Sequence, residues 1–449
     1  MEVQNIKDAL VGAEKGQALH DLMKVLFPIC RSITGEGVRN TLRHLQQHIP
    51  LTIHEVPSGT QVFDWVVPLE WNIRDAYLAT TRGDRVIDFR ENNLHVVNYS
   101  VPMKGRFKRE DLEGHLHSLP DRPDWIPYRT SYYKENWGFC LPHRRLVELN
   151  EPEYEVCIDS TLRPGHLSYG ELLLPGATEE EILISCHICH PSLCNDNLSG
   201  VAVATYLAKA LQGMARKFSY RFVFIPGTIG SITWLAQNQE RTNLIRHGVV
   251  LTGVGDSGHM TYKRTRQGTA DVDRAIVHTL KHCGKGHQVV DFSPYGYDER
   301  QYCSPGFNLP VGCFMRTPHG EYAEYHTSAD NLDFVVPHAL HESLEILLQV
   351  MYVLERNFVP VSTNPYCEPQ LGKRGLYRAI AGQKEGAQRE MALLWVLNLA
   401  DGHHTLLDIA ERADTPFEII CSAAESLKNC QLLEESQGLL SQRHGGDGL

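Results

Sequence analysis

The run Glu181-Ile182-Leu183-Ile184-Ser185-Cys186-His187, continued by Ile188-Cys189-His190-Pro191-Ser192-Leu193-Cys194-Asn195-Asp196-Asn197-Leu198-Ser199-Gly200, decides how this chain is read. Its first part is a compact apolar segment, the pattern of a strand buried on both faces. The polar loop that follows leads into GVAVATYLAKALQ, a helical pattern. The same rhythm returns downstream. YRFVFIP is followed by SITWLAQNQ, then HGVVLTGVGD, NLPVGCFM and the long closing helix VVPHALHESLEILLQVMYVLERN. Strands alternating with helices predict an α/β domain with a mainly parallel, doubly wound sheet. In open α/β sheets ligands bind beyond the carboxyl ends of the strands. The polar residues just after each strand therefore carry the functional interest.

Outward from this core the texture changes twice. Upstream, ALHDLMKVLF and GEGVRNTLRHLQQH read as helices and LTIHEV as a short strand. From 65 to 155, short β-like runs (AYLATT, RVIDF, LHVVNYSV) are broken by Pro- and Asp-rich turns such as LPDRPDWIPY, which predicts a β-rich inserted domain. Segments 1–64 and 156–360 then form the α/β domain. After the linker NPYCEPQLGKRG, residues 375–443 predict a winged helix: REMALLWVLNLADG, TLLDIAERA and PFEIICSAAESLKNC as helices and QLLEE as a strand. Thr415-Pro416 supplies an N-cap and a first helical proline. The tail QRHGGDGL reads as disordered.

The chain has 449 residues, a length for two or three domains, and a formal net charge of −11, which speaks against broad nucleic-acid binding. No apolar run is long enough to span a bilayer, and the polar start shows no signal core. Together with 12 cysteines read as reduced thiols, this predicts a cytoplasmic location.

Cys186 to Asp196 holds three Cys, two His and one Asp. A His at a strand terminus and a carboxylate nine residues on can converge on one ion if the loop folds back over the sheet edge. Zn²⁺ favours such N and O ligands. Two other readings stay open: Cys186, Cys189 and Cys194 as part of a structural thiolate site, and a catalytic Cys–His pair. A second polar island, Arg316 to Asn331, follows the strand VGCFM and contains Tyr325-His326-Thr327.

With Asp196-Asn197-Leu198-Ser199-Gly200 and Tyr325-His326-Thr327, the chain resembles the aminopeptidase-like superfamily of zinc exopeptidases. More narrowly it is similar to a bacterial family that joins this domain to a β-rich insertion and a C-terminal winged helix. Cys30-Arg31-Ser32-Ile33-Thr34-Gly35-Glu36-Gly37, Val62-Phe63-Asp64-Trp65, Pro68-Leu69-Glu70-Trp71-Asn72-Ile73 and Leu397-Asn398-Leu399-Ala400-Asp401-Gly402 fit its other parts. The resemblance implies zinc held by His187, Asp196 and His326, with Asp256 completing a second metal site. A turn or helix-cap role for Asp256 is equally open.

One position departs from that pattern. The zinc exopeptidases place a general base and a further metal ligand, Glu-Glu, after the next strand. The narrower family keeps the first Glu in a Pro-Glu-Thr-Ile-Gly-Ser stretch. Here the stretch is Pro226-Gly227-Thr228-Ile229-Gly230-Ser231. One zinc is therefore expected rather than two, and a replacement base is sought in Glu324 and then Glu321. His190, Arg264 and Arg266 are candidate substrate contacts, since Arg grips carboxylates with paired hydrogen bonds. Arg31 to Thr34 has no single assignment; bracing the loop over the site is one reading.

From Glu368 onward, eight Lys and Arg face twelve Asp and Glu. The winged helix is therefore expected to pack on the α/β domain or on a second copy of the chain rather than on DNA. Two functions remain in play. One is a zinc-dependent aminopeptidase-like hydrolase acting on a peptide or amide bond of a small substrate. The other is a zinc-binding, non-hydrolytic homologue used for amide chemistry or ligand binding in a biosynthetic pathway.

Overall fold

A computed structural model of the chain describes residues 1–10, 14–376 and 384–436. Its central feature is an eight-stranded sheet: β1 Thr52–Pro57, β2 His166–Leu174, β3 Glu181–His187, β4 Ser219–Ile225, β5 Ile245–Leu251, β6 Met260–Lys263, β7 His287–Val290 and β8 Val311–Met315. The order across the sheet is β1-β2-β4-β3-β5-β8-β6-β7. Strands β4, β3, β5 and β8 run parallel, with His187 opposite Ile225 and Ser185 opposite Val250. The flanking pairs β1–β2, β2–β4 and β8–β6 are antiparallel, so the sheet is mixed. Every residue of β3, β4 and β8 is buried, which is why their sequences are mainly apolar rather than alternating, and the charged exception in β4, Arg221, is paired with Glu181 and Glu171. Helices Gly200–Gln212 and Ile229–Gln237 follow β3 and β4, as the alternation predicts.

The chain divides into two compact units. The first comprises Leu10–Ala270 and Gly286–Glu345 and holds the large sheet. It also holds a four-stranded antiparallel sheet in which Arg85–Asp88, Glu70–Thr80, Glu153–Arg163 and Met103–Lys108 lie side by side. Glu153–Arg163 crosses the expected boundary at 155 and alternates buried and less buried residues, the mark of a sheet with one apolar face. LHVVNYSV is not a strand. Asn92 Oδ1 accepts from the Leu94 N–H and sets a 3₁₀ turn over Asn93–His95, and the rest runs irregularly. The local asparagine turn outcompetes the β-branched residues.

The second unit comprises Met1–Ala9, Asp271–Lys285 and the segment from Ile346 onward. Its helices Lys384–Leu399, Leu406–Ala413 and Phe417–Asn429 precede strand Leu433–Glu435, which pairs with Pro360–Ser362. Thr405 and Asp408 form a capping box on the second helix. The third helix starts at Phe417, one residue later than Thr415-Pro416 suggests, with Pro416 in the N-cap position and no side-chain cap hydrogen bond. Asp408 and Glu411 both take ion pairs from Arg274. The tail from 442 lies outside the described residues. Among those described, no helix is long and apolar enough to cross a membrane.

Candidate metal centre

Four loops leave the carboxyl ends of β3, β4, β5 and β8, and the loop after β3 is pinned to its neighbours by its own side chains. Asn197 Nδ2 donates to Leu251 O, while its Oδ1 accepts from the Gly200 and Gly253 N–H groups. Asn195 Oδ1 accepts from Gly255 N–H, and Ser199 Oγ accepts from Val254 N–H. From the island after β8, Asp330 accepts the backbone N–H groups of Cys194 (3.2 Å), Asn195 (2.6 Å) and Asp196 (3.0 Å). Asp-Asn-x-Ser-Gly is thus a set of polar groups that fix one backbone path. They are buried, so each needs these partners.

That path carries Asp196 into a ring of imidazoles. His187 Nε2 lies 2.8 Å from Asp196 Oδ1, His326 Nε2 lies 3.0 Å from Oδ2, and His190 Nε2 lies 3.8 Å from Oδ2. The His187, His190 and Asp196 donor atoms all fall within 4.8 Å of one another. Burial alone would push the Asp196 carboxyl up, but the neighbouring His190 and the hydrogen bonds from His187 and His326 hold it well below its usual range. Burial pushes the His190 imidazole well below its own usual value, against the opposing pull of Asp196. Arg31 Nε donates to His190 O at 2.9 Å, which makes Arg31 a brace for this loop. His326 adopts φ 54°, a left-handed conformation uncommon for a residue with a Cβ. Tyr128 N–H donates to its carbonyl at 2.8 Å, and Arg122 donates to Ala323 O, holding the loop in that shape.

Three imidazole nitrogens and one carboxylate suit Zn²⁺, so the residues present fit the metal that the sequence implies. The thiols do not compete. Burial pushes the Cys189 thiol up to about 12, and Cys186 and Cys194 rise as well. None of the three joins the convergent donors among the described residues, and none has the lowered pKa of an activated nucleophile.

Other expected residues lie differently. Both oxygens of Asp256 are taken by Thr317 N–H and Oγ1, Gly258 N–H and Asn195 Nδ2, so its carboxylate ties loops together. Glu321 is exposed and Glu324 half-buried, and neither joins the convergent donors among the described residues. Arg264 bonds Gly268 O and pairs with Asp291, and Arg266 bonds Asn308. From the same basic stretch, the buried Lys263 pairs with Glu299 and donates to Tyr295 O at 2.7 Å. It thereby secures a loop that sequence reasoning passed over.

That loop carries Tyr297. Its ring lies against His187, with centroids 3.8 Å apart, and its hydroxyl meets Cys189 Sγ at 3.6 Å. A Cβ on Gly227 would collide with the Tyr297 ring, closest to Cε1 and 2.9 Å from Cδ1 and Cζ. An aromatic ring therefore fills the space that a side chain at 227 would need. Burial pushes the Tyr297 phenol well above its ordinary value, so it is a neutral donor and no base.

Residues 20–357 match DUF4910, a domain of unknown function, and residues 358–435 match a winged helix-turn-helix family. The chain belongs to the DUF4910 family. A Clostridium acetobutylicum protein, provisionally described as a polysaccharide biosynthesis protein with an aminopeptidase-like domain, is 52% identical over 422 residues, 94% of this chain and 97% of its own length. A crystal structure from the same organism, described as a peptidase candidate, superposes with a TM-score of 0.91 at 49% identity over 96% of this chain and 99% of that one. A zinc aminopeptidase of Bacillus subtilis, BSAP, matches with a TM-score of 0.54 at 10% identity, covering 76% of this chain and 94% of its own. At that identity the likeness concerns the fold. The DUF4910 domain here is aminopeptidase-like in fold and carries a winged helix behind it.

Proposed function

We propose that this DUF4910 domain is a zinc-dependent centre for an amide or carbonyl group of a small substrate in polysaccharide biosynthesis, working without the carboxylate base of a peptidase. The observation that carries this is the Tyr297 ring in the space of a side chain at 227. His187, Asp196 and His326 would hold the metal, with His190 as a further donor. A bound zinc supplies Lewis acidity toward a substrate oxygen. The chain's own groups do the rest: Asn195, Asn197, Ser199 and Asp330 fix the donor loop, Arg31 braces it, and Tyr297 walls the site as a neutral phenol. BSAP, named a zinc aminopeptidase, supports the metal. The description of the Clostridium relative supports the biosynthetic setting.

The aminopeptidase-like fold also favours a second reading, a peptide or amide hydrolase. It needs a base from Glu324 or Glu321. Elemental analysis of the full chain, beside His187→Ala and His326→Ala, is expected to give about one zinc per chain in the parent and little in either variant. A panel of aminoacyl amides is expected to show turnover on the order of 10²-fold or more below an ordinary aminopeptidase. Metal-free parent protein overturns the zinc centre. Ordinary peptidase turnover overturns the loss of the base and establishes the hydrolase.

A further inference from the structure

Beside the centre lies a half-open cavity of about 230 Å³, framed by Trp65, Tyr132, Tyr133, Gly227, Tyr297 and Arg300. It has room on the order of eight water molecules, the scale of a single ring with substituents. Two features mark it as a binding site. Trp65 and Tyr133 stand at its mouth with 46% and 49% of their surface exposed, although they touch at 5.4 Å between centroids. Large aromatics left open at a cavity mouth are characteristic of ligand contacts. The hairpin Gln61–Val62 and Trp65–Val66 that presents Trp65 turns through Phe63 at φ 55°, a conformation bulky residues rarely hold. Such strain persists where the surroundings over-determine it, and it clusters at ligand clamps.

The lining narrows the ligand class. Trp65 and Tyr133 meet at 60°, so they form a corner rather than the parallel-sided slot that would sandwich a flat base. A corner suits a puckered ring whose C–H groups point to more than one side. Arg300 is exposed and has no hydrogen-bond or ion-pair partner among the described residues. A guanidinium at the rim whose N–H groups are not hydrogen-bonded among the described residues, with Asp298 as a nearby charge, is a ready partner for a carboxylate or phosphate. Thr228 and the backbone of Gly227 add polar edges for hydroxyl groups.

We infer that this cavity binds a saccharide ring carrying an anionic group, with Trp65 and Tyr133 against its C–H faces and Arg300 on the anion. It rests on the proposed function only in placing that ring beside the metal centre, across Tyr297; the ligand chemistry stands on the cavity's own residues.

Full-length protein titrated with glucuronate, glucose 1-phosphate, glucose and phenylalaninamide, followed by ligand-observed NMR and calorimetry, tests this. Saturable binding of an acidic sugar is expected; preference for glucuronate assigns the anion as a carboxylate, and preference for glucose 1-phosphate as a phosphate. Trp65→Ala is expected to weaken that binding about ten-fold. Arg300→Gln is expected to weaken the acidic sugar by a similar factor and leave glucose unchanged. Arg300 is exposed, so this variant folds as the parent does. Absence of saturable acidic-sugar binding overturns the inference. So does tighter binding of phenylalaninamide, or binding that both variants leave intact. Repeating the titration after chelation separates the two proposals. Binding retained by stripped protein supports the cavity whatever the metal content. Binding that vanishes overturns the cavity, because the metal centre then holds the ligand.

Discussion

The ring of Tyr297 occupies the room that a side chain on Gly227 would require, and the same ring lies 3.8 Å from the His187 imidazole between centroids. The two positions are therefore coupled. Restoring a carboxylate at 227 alone forces the ring off His187 or distorts the turn after β4. Gly227→Glu is expected to cost about 1–3 kcal/mol, as overpacked sites do, and to gain no hydrolysis. Gly227→Glu with Tyr297→Ala removes the clash and is expected to raise aminoacyl-amide hydrolysis on the order of 10²-fold over the parent. Thermal melts and a chromogenic aminoacyl amide assay check both. A single variant as active as the double would show that Tyr297 does not obstruct position 227.

Asp330 predicts a second separation, between fold and metal affinity. Its buried carboxylate collects three N–H groups of the loop that delivers Asp196. Asp330→Asn retains one acceptor oxygen and turns the other into a donor facing those groups. Groups that orient a ligand typically change metal affinity 10–100-fold. A loss of that order is expected in a competition titration with a zinc chelator, with the folded state retained by circular dichroism. Unchanged affinity would mean the loop holds its path without Asp330.

Acid stability follows from Glu70, which joins the start of the four-stranded sheet to helix Glu36–Leu45. The Arg39 hydrogen bonds, helped by the His166 N–H, hold its carboxyl down to about 2 although burial opposes them. Glu70 and Arg39 side chains are only 12% and 15% exposed. A depressed carboxyl stabilises the fold above its unfolded value of roughly 4.3 and loses that contribution as pH falls toward the folded value. Urea midpoints are expected to fall steeply between about pH 5 and pH 2, by on the order of 2 kcal/mol from this group. Glu70→Gln should be less stable at neutral pH and show a shallower acid limb. An acid limb identical in the variant would assign the sensitivity elsewhere.

How much of this was legible in the sequence depends on what each residue does. The strands β3, β4, β5 and β8 announce themselves because strands in the middle of a covered sheet are mainly apolar without strict alternation. His187, Asp196 and His326 stand out because polar residues at the carboxyl ends of such strands have nothing structural to pair with nearby in sequence. Tyr297 left no such signal. Its loop, DFSPYGYDER, has no period, and its importance comes from meeting Gly227, some 70 residues away, in space. The absence at 227 was visible, but what fills it was not. His190 read as a substrate contact and stands among the donors, a difference of a few ångströms that spacing does not encode. LHVVNYSV misled because propensity counts side chains and ignores the turn that Asn92 imposes.

The winged helix supplies the last prediction. DNA-reading modules set a basic helix in the major groove and displace counterions, which makes their affinity fall steeply with salt. Here the second helix offers Asp408 and Glu411, both already paired with Arg274. The third, Phe417–Asn429, carries Glu418 and Glu425 against a single Lys428, with Glu425 paired to Arg356. A duplex backbone would meet more negative than positive charge along these helices. Fluorescence anisotropy with mixed-sequence duplexes is therefore expected to show no saturable binding even at low salt. Arg274→Ala should instead lower the thermal midpoint, because it removes the ion pairs to Asp408 and Glu411. Duplex binding that weakens with a steep log–log salt slope would overturn this and make the domain a DNA reader despite its charge.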